Sequence, residues 1–146
     1  MKVKDLLIKK GRSVITIGSD ETLATAVKKL VDNNIGALPV CDAKGTLVGI
    51  ISERDLLKEC SQRSSDISNT KVKDVMVRGV IICVPEDDLV YIMNIMAQKG
   101  IRHLPVLDGP KLTDIISMRD AVDAQLDDSK ATVRFLSEYI SGGAIG

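Results

Sequence analysis

The sequence predicts a mixed α/β (α+β) fold in which two copies of one β-α-β-β-α unit pack as a single module. The first observation is that GIISERDLL (Gly49–Leu57) returns as DIISMRDAV (Asp114–Val122), with five identities in the six residues from the first paired isoleucine. The second is that NNIGALPVCD, at 33–42, matches KGIRHLPVLD, at 99–108, at nearly the same offset. Matches that recur at one spacing indicate an internal repeat, so the chain is interpreted as two homologous halves.

The elements of each half are predicted in the same order. A short turn of helix opens each half, at Val3–Leu7 and Val72–Met76, and a β-rich run follows at 13–17 and 79–84. The acidic stretches SDET and PEDD are then predicted to form the first turn of a helix, where negative charge is favoured by the helix dipole. That helix is amphipathic, since one stripe carries Leu23, Ala26, Val27, Leu30 and Val31 in the first half and Leu89, Ile92, Met93, Met96 and Ala97 in the second.

The rest of each half is a predicted strand–turn–strand unit followed by a second helix. The strands are ALPVCD and TLVGIIS in the first half and HLPVLD and KLTDIIS in the second, joined by the turn residues AKG and GP. The second helix starts after Ser52 or Ser117. One copy alone is too small to bury both faces of its sheet, so the two halves are expected to pack against each other.

These matches divide the chain into four segments. The expected segments are a first motif at 1–60, a polar linker at 61–70, a second motif at 71–125, and a C-terminal helix and tail at 126–146. Ser129 is the candidate cap of that last helix, whose apolar side would carry Val133, Leu136 and Ile140. Two interpretations of this helix stay open: it packs on its own module, or it forms a dimer contact.

Composition excludes several classes of protein. Twenty basic and twenty acidic residues cancel, which argues against a nucleic-acid-binding protein because such a protein needs a concentrated basic face. No apolar run approaches the roughly 20 residues of a membrane span, and the charged N-terminus does not resemble a signal peptide. Three separated cysteines and one histidine favour reduced thiols in a cytoplasmic protein without a metal site. The motifs of nucleotide hydrolases, esterases and dehydrogenases are absent from the sequence, so no enzyme is expected.

The repeated Ser-x-Arg-Asp has two interpretations that start from the same geometry. Serine followed three residues later by an acidic residue, before an apolar run, is close to a capping box at a helix N-terminus. The same N-terminus also offers N–H groups, a hydroxyl and a positive dipole end to a phosphate. A carboxylate one turn away, Asp55 or Asp120, can accept hydrogen bonds from two ribose hydroxyls. A cap and a nucleoside-phosphate clamp are compatible.

The pattern G-x-LPV-x-D-x-x-G-x-LVGIIS-x-RDL resembles the cystathionine-β-synthase (CBS) domain, and its second copy makes the chain similar to a tandem CBS-domain pair from about Val3 to Gln125. The resemblance implies that adenosine nucleotides bind in clefts between the halves, with the serines on phosphate or ribose, the aspartates on the ribose hydroxyls, and the Leu-Pro-Val strands framing the adenine. The implied ligand-binding residues are Ser52, Arg54, Asp55, Ser117, Arg119, Asp120, Arg102, His103, Ala37, Leu38, Pro39, Leu104 and Pro105.

The two halves differ at two places that bear on this expectation. Arg102 and His103 stand where the first half has Gly36 and Ala37, and the resemblance implies that such a histidine faces phosphates, so the phosphates are expected near the junction of both clefts. The alternative is that His103 is a surface residue beside a strand. In the second half, Asp114 replaces the family's glycine, and a carboxylate there is expected to crowd the cleft or repel phosphate.

The resulting expectation is a non-catalytic, homodimeric sensor whose regulatory ligand is an adenine nucleotide. AMP, ADP, ATP, NAD and S-adenosylmethionine share the adenosine that the clamp would recognise. Two rivals are a ligand-free interaction scaffold and a regulatory subunit of a separately encoded enzyme. Any output would then pass through an unidentified protein target, and neither nucleic acid nor a membrane is expected as a partner.

Overall fold

The computed structural model describes residues 1–11, 13–62 and 66–128. Ten elements carry labels here: α1 (Val3–Lys10), β1 (Ile17–Gly18), α2 (Leu23–Asn33), β2 (Ala37–Cys41), β3 (Leu47–Ser52), α3 (Glu53–Gln62), α4 (Leu89–Lys99), β4 (His103–Asp108), β5 (Lys111–Ser117) and a helix over residues 118–128, here α5. A single turn of 3-10 helix, Val72–Asp74, opens the second half. The predicted C-terminal helix with its cap at Ser129 lies outside the described residues.

Two small sheets, one from each half, confirm the predicted mixed α/β fold. In the first, β1 pairs in parallel with β2, and β2 pairs antiparallel with β3, with Leu38 opposite Ile51. In the second, β4 pairs antiparallel with β5, and Leu104 lies opposite Ile116. These four side chains are fully or almost fully buried, so matching positions of the two repeats form matching cores.

The β-rich runs predicted at 13–17 and 79–84 are much shorter than expected. The first reaches strand geometry only at Ile17–Gly18, and the second forms a single parallel bridge, from Cys83 to Val106. Cys83 donates its N–H to the carbonyl of Pro105 at 2.9 Å, and its own carbonyl accepts a 2.9 Å bond from Leu107. Only this residue meets the edge of β4, which explains why its apolar neighbours do not extend the sheet.

The amphipathic helices begin later than predicted. Thr22 caps α2 and Asp88 caps α4, so the acidic residues before them lie outside the first turn. They hold the preceding loops instead: Glu21 accepts a 2.6 Å bond from the Gly18 N–H, and Asp87 accepts a 2.9 Å bond from the Val84 N–H. The predicted stripe is narrower than expected: Leu23, Ala26 and Leu30 of α2 are buried, as are Leu89, Ile92 and Met96 of α4, whereas Val31 and Ala97 are exposed.

The opening segments of the two halves are exchanged between the two cores. Val3 and Leu6 of α1 are buried in the core of the second half, which contains α4, β4 and β5. Val72 and Met76 are buried in the core of the first half, which contains α2, β2 and β3. The sequence repeats therefore do not coincide with the packed units, and this exchange holds the two halves together.

Backbone contacts fix the exchange at both places in the same way. The Val3 N–H donates to the carbonyl of Asp87, just before α4, at 2.9 Å. The Val72 N–H donates to the carbonyl of Glu21, just before α2, also at 2.9 Å. The two halves are thus related by a pseudo-twofold arrangement in which each opening segment docks beside the first long helix of the other half.

Candidate functional site

Two clefts lie at the junction of the halves, and each brings together a Ser-x-Arg-Asp segment with the loop that precedes the Leu-Pro-Val strand of the other half. The first cleft, of about 400 Å³, contains Ser52, Arg54 and Asp55 together with Gly100–His103. The second cleft, of about 530 Å³, contains Ser117, Arg119 and Asp120 together with Asn34–Ala37.

Ser52 and Asp55 form the predicted capping box at the start of α3. The Asp55 side chain reaches back and accepts bonds on Oδ2 from the Ser52 N–H at 2.8 Å and from the Ser52 hydroxyl at 2.9 Å, while the Asp55 N–H points to Oγ of Ser52 at 3.4 Å. Both side-chain bonds end on the same carboxylate oxygen. Among the hydrogen bonds of the described residues, Oδ1 of Asp55 therefore remains open to an acceptor role toward a ligand.

Ser117 and Asp120 repeat the box at the start of α5. The Ser117 N–H donates to Oδ2 of Asp120 at 3.1 Å, and the Asp120 N–H donates to Oγ of Ser117 at 2.9 Å. Burial by itself disfavours the Asp120 carboxylate, but the Ser117 amide and the ammonium of Lys10 outweigh that effect and leave the pKa of Asp120 below its usual value. Asp120 is thus an anion that already has a cationic partner.

That partner, Lys10, is the last residue of α1 and reaches into the second cleft from the exchanged opening helix. Its Nζ lies 3.3 Å from Oδ2 of Asp120 and 3.3 Å from Oδ1 of Asp114, and it also donates to the carbonyl of Ile115. The side chains of Lys10 and Asp114 are only 13% and 9% exposed. The expectation that Asp114 crowds the cleft or repels phosphate did not take account of Lys10, whose ammonium pairs with the buried carboxylate.

The structure explains why the first half has glycine where the second has Asp114. Val77 pairs with Ile50 of β3 through two backbone bonds, and a Cβ on Gly49 would lie 2.6 Å from Sδ of Met76 and 2.9 Å from the Val77 carbonyl oxygen. In the second half, the matching chain continues as helix α1 to Lys10 and does not pair with β5. The space beside β5 is therefore available to the Asp114 side chain.

His103 lies where the two clefts meet, because it lines both of them together with Gly36 and Glu53. A Cβ on Gly36 would come within 3.2 Å of Cε1 and Nε2 of His103, so glycine at 36 makes room for the imidazole. Arg102 lines only the first cleft. The two neighbours that the sequence grouped together therefore differ in position: the imidazole of His103 lines both clefts, and the side chain of Arg102 lines one.

Burial lowers the pKa of His103 below its ordinary value of 6.5. The carboxylates of Asp120 and Glu53 act against this shift, and the cations of Lys10 and Arg102 reinforce it. The neutral imidazole therefore predominates at pH 7 and presents one N–H donor at the junction of the clefts.

Several residues from the sequence-based set lie elsewhere. Leu38, Pro39, Leu104 and Pro105 are buried in the strands and line neither cleft, whereas Ala37 lines the second cleft. Strands β2 and β4 contribute only their first residues, Ala37 and His103, to the lining of the second cleft. Sequence reasoning missed Lys10 and Glu53. The available signal for Lys10 was the departure from glycine at 114, since a buried carboxylate needs a cation.

The three cysteines line neither cleft. No cluster of three or more His, Cys, Asp or Glu side chains is placed to hold a metal ion in the part of the chain that the structure describes. Cys83 is buried, which raises the pKa of its thiol to about 12, and Cys41 and Cys60 are also unpaired. Within the same residues, no helix has the length and apolar character that a membrane span requires.

Comparison with known proteins identifies the family. The model of the CBS domain matches residues 3–62 and again residues 72–127. The chain belongs to the CBS-domain family. CBS domain-containing protein CBSX3, mitochondrial, of Arabidopsis thaliana is 31% identical to this chain over 149 residues, and the match covers 97% of this chain and 72% of that CBS protein.

Solved structures of CBS-domain proteins share the fold described above. The CBS-domain containing protein ATU1752 from Agrobacterium tumefaciens superposes with a TM-score of 0.82 at 37% identity, covering 86% of this chain and 99% of that one. The CBS-domain pair of protein MJ0100 superposes with a TM-score of 0.75 at 28% identity, covering 89% of this chain and 98% of that one, and its structure contains 5′-methylthioadenosine and S-adenosyl-L-methionine. The tandem-pair resemblance noted in the sequence is thus confirmed.

Proposed function

We propose that this chain is a non-catalytic regulatory module that binds adenosine-containing ligands in its two clefts. The observation that carries the proposal is the doubled capping box. Each box fixes a serine and an aspartate at a helix N-terminus on the wall of a cleft, opposite backbone of the other half. A cleft formed by both halves allows a ligand to bias how the halves pack, which is the physical requirement of a regulatory module.

The box geometry suits a nucleoside with or without phosphate. In the first cleft, Asp55 has one carboxylate oxygen tied to Ser52 and the other available for ribose hydroxyls. The N-terminus of α3 and the guanidiniums of Arg54 and Arg102 supply the positive potential that a phosphate prefers. Further support comes from the related pair of protein MJ0100, whose structure contains two adenosine derivatives.

A thermal-shift screen tests the proposal, with AMP, ADP, ATP, NAD, S-adenosylmethionine and adenosine as ligands and GMP as the control for the base. A ligand present at 100 times its Kd stabilises the folded state by about 2.7 kcal/mol. For a chain of this size that corresponds to a rise in Tm of about 8 °C, at about 3 °C per kcal/mol.

The matched control protein carries both Asp55→Asn and Asp120→Asn. Asparagine keeps an oxygen that can accept the serine N–H, so the helix caps survive while the carboxylates that would hold ribose are lost. Calorimetry on this protein should show at least a tenfold loss of affinity, since a charged hydrogen bond contributes about 1.5–3 kcal/mol. Absence of any adenosine-dependent shift in the unmodified chain would favour the scaffold interpretation and reject the proposal.

We also propose that the module forms a homodimer through its helices. Large apolar side chains remain exposed on the helix surfaces, among them Ile8, Val31, Leu57, Tyr91 and Leu126. Side chains of this kind mark an association surface where they form a contiguous patch. Sedimentation at micromolar concentration should give a dimer, and a monomer at that concentration would reject this assembly. Comparison with a chain that ends after Gln125 would show whether the C-terminal segment contributes.

A further inference from the structure

The two clefts differ in charge, although they repeat the same motif. The charged residues that line the first cleft are Arg54, Arg102, Glu53 and Asp55, which cancel. The charged residues that line the second cleft are Lys10, Arg119, Glu53, Asp114, Asp120 and Asp123, which leave a formal charge of −2. The difference of two charges arises because Arg102 has no basic counterpart in the second cleft and Asp123 has no acidic counterpart in the first, while Asp114 and Lys10 are added to the second cleft as a pair.

The cation nearest to the ribose-binding position of the second cleft is already engaged. Lys10 is shared between the carboxylates of Asp114 and Asp120 and the carbonyl of Ile115. With 13% of its side chain exposed, it is not free to turn toward a phosphate without leaving Asp114 buried and unpaired. Each cleft also has one exposed arginine from its repeated motif, Arg54 or Arg119, but only the first has a second one, Arg102, and none of the described residues that line the first cleft is a buried carboxylate.

We propose that the two clefts select different classes of adenosine ligand: the first takes a phosphate-bearing nucleotide, and the second takes an adenosine derivative without phosphate. This inference rests on the proposed function and assigns a ligand class to each of its sites. Asp114 is the specificity-determining residue, because its carboxylate pairs with the ammonium of Lys10, which a phosphate would otherwise contact. Two extra anions near the dianionic phosphate of AMP oppose its binding by about tenfold or more at an intermediate effective dielectric.

Two single-cleft proteins separate the sites for the test. Asp120→Asn disables the second cleft and leaves the first, and Asp55→Asn does the reverse. Calorimetry with AMP and adenosine, which differ only by the phosphate, then reports the preference of each cleft. The protein with Asp120→Asn should bind AMP at least about tenfold more tightly than adenosine, and the protein with Asp55→Asn should bind adenosine more tightly than AMP.

A second substitution tests the role of Asp114 directly. In the Asp55→Asn protein, adding Asp114→Asn removes one anion and releases Lys10 from it, so AMP affinity should rise about tenfold while adenosine affinity stays within about twofold. The control for net charge is Asp32→Asn, which removes an exposed carboxylate of α2 that lines neither cleft.

The outcomes distinguish this inference from the proposed function. If both single-cleft proteins prefer AMP to the same degree, or if Asp114→Asn changes AMP affinity no more than Asp32→Asn does, the selection by charge is wrong and the nucleotide module stands. If neither AMP nor adenosine binds the unmodified chain or any single-cleft protein, the proposed function fails and this inference fails with it.

Discussion

Replacing Lys10 by methionine should destabilise the protein by about 3 kcal/mol, although Lys10 lies near the end of a short helix. Methionine retains the apolar stem and removes only the ammonium. The side chain of Asp114, which is 9% exposed, then loses its cation. Removing one partner of a buried ion pair costs about 3–5 kcal/mol. We expect the lower end, because the Ile115 N–H still donates to Oδ1 of Asp114 at 2.7 Å and Asp120 is only partly buried.

A double-mutant cycle in urea, followed by circular dichroism, measures this effect. The single substitution Asp114→Asn should cost about 1 kcal/mol, since Lys10 keeps Asp120 and the Ile115 carbonyl. The double variant Lys10→Met/Asp114→Asn should also lie within about 1 kcal/mol of the unmodified chain, because the buried charge is removed, and Asp120, which also loses Lys10, is partly exposed and keeps the Ser117 N–H. The coupling energy between the two positions is then at least about 3 kcal/mol.

The neighbouring Lys9 provides a matched control, because it is exposed on the same turn of α1. Lys9→Met should change the free energy of unfolding by no more than about 0.5 kcal/mol. A Lys10→Met protein as stable as the Lys9→Met protein would refute the reasoning, since the Lys10–Asp114 pair would then behave as a solvated surface pair.

Two further predictions concern the junction and the first half. Free His103 has a pKa below 6.5, and bound phosphates would raise that pKa by favouring the cation, so ATP affinity should rise as pH falls through the bound-state pKa and level off below the free-state pKa. Calorimetry from about pH 8 to 5.5 should show this pH dependence for ATP, little of it for adenosine, and a flattened curve for His103→Ala. An unchanged pH dependence of ATP binding in His103→Ala would show that the imidazole is not part of the phosphate site. Gly49→Ala should lower the free energy of unfolding by about 1–3 kcal/mol, because its Cβ would meet Met76 and the Val77 carbonyl. The control is Gly79→Ala, whose Cβ meets no atom within 4 Å and which should be nearly neutral in chemical denaturation. Equal losses of stability in the two variants would contradict the argument from close approach at Gly49.

The repeated unit and the capping boxes could be predicted because their signals are local. A strand that ends in serine, followed by Arg-Asp and an apolar helix, needs only adjacent residues to specify its geometry. The same holds for the strand–turn–strand units, which are marked by turn residues between two short apolar runs. The stripe of α2 and α4 was likewise present in the spacing of Leu23, Ala26 and Leu30.

The exchange of opening segments could not be predicted, since Val3–Leu7 and Val72–Met76 carry the same apolar pattern and fit either core. The Lys10–Asp114 contact joins residues 104 positions apart and breaks the repeat symmetry, so the internal comparison did not reveal it. The prediction of a β-rich run at 79–84 was wrong for all but Cys83, because β propensity does not show whether the edge of another strand is available for pairing. These misses concern long-range pairing.

The exchanged opening segments make the chain topologically equivalent to a swapped dimer that has been joined end to end. Two free copies of a single β-α-β-β-α unit, each inserting its first turn beside the long helix of the other, would reproduce both cores without the connection between them. A fragment that contains only one half would lack the apolar turn that covers its own core, and it would bury that core by pairing with a second fragment. Joining two such copies keeps their interface within one chain and allows the two halves to differ at matching positions, as Gly49 and Asp114 do.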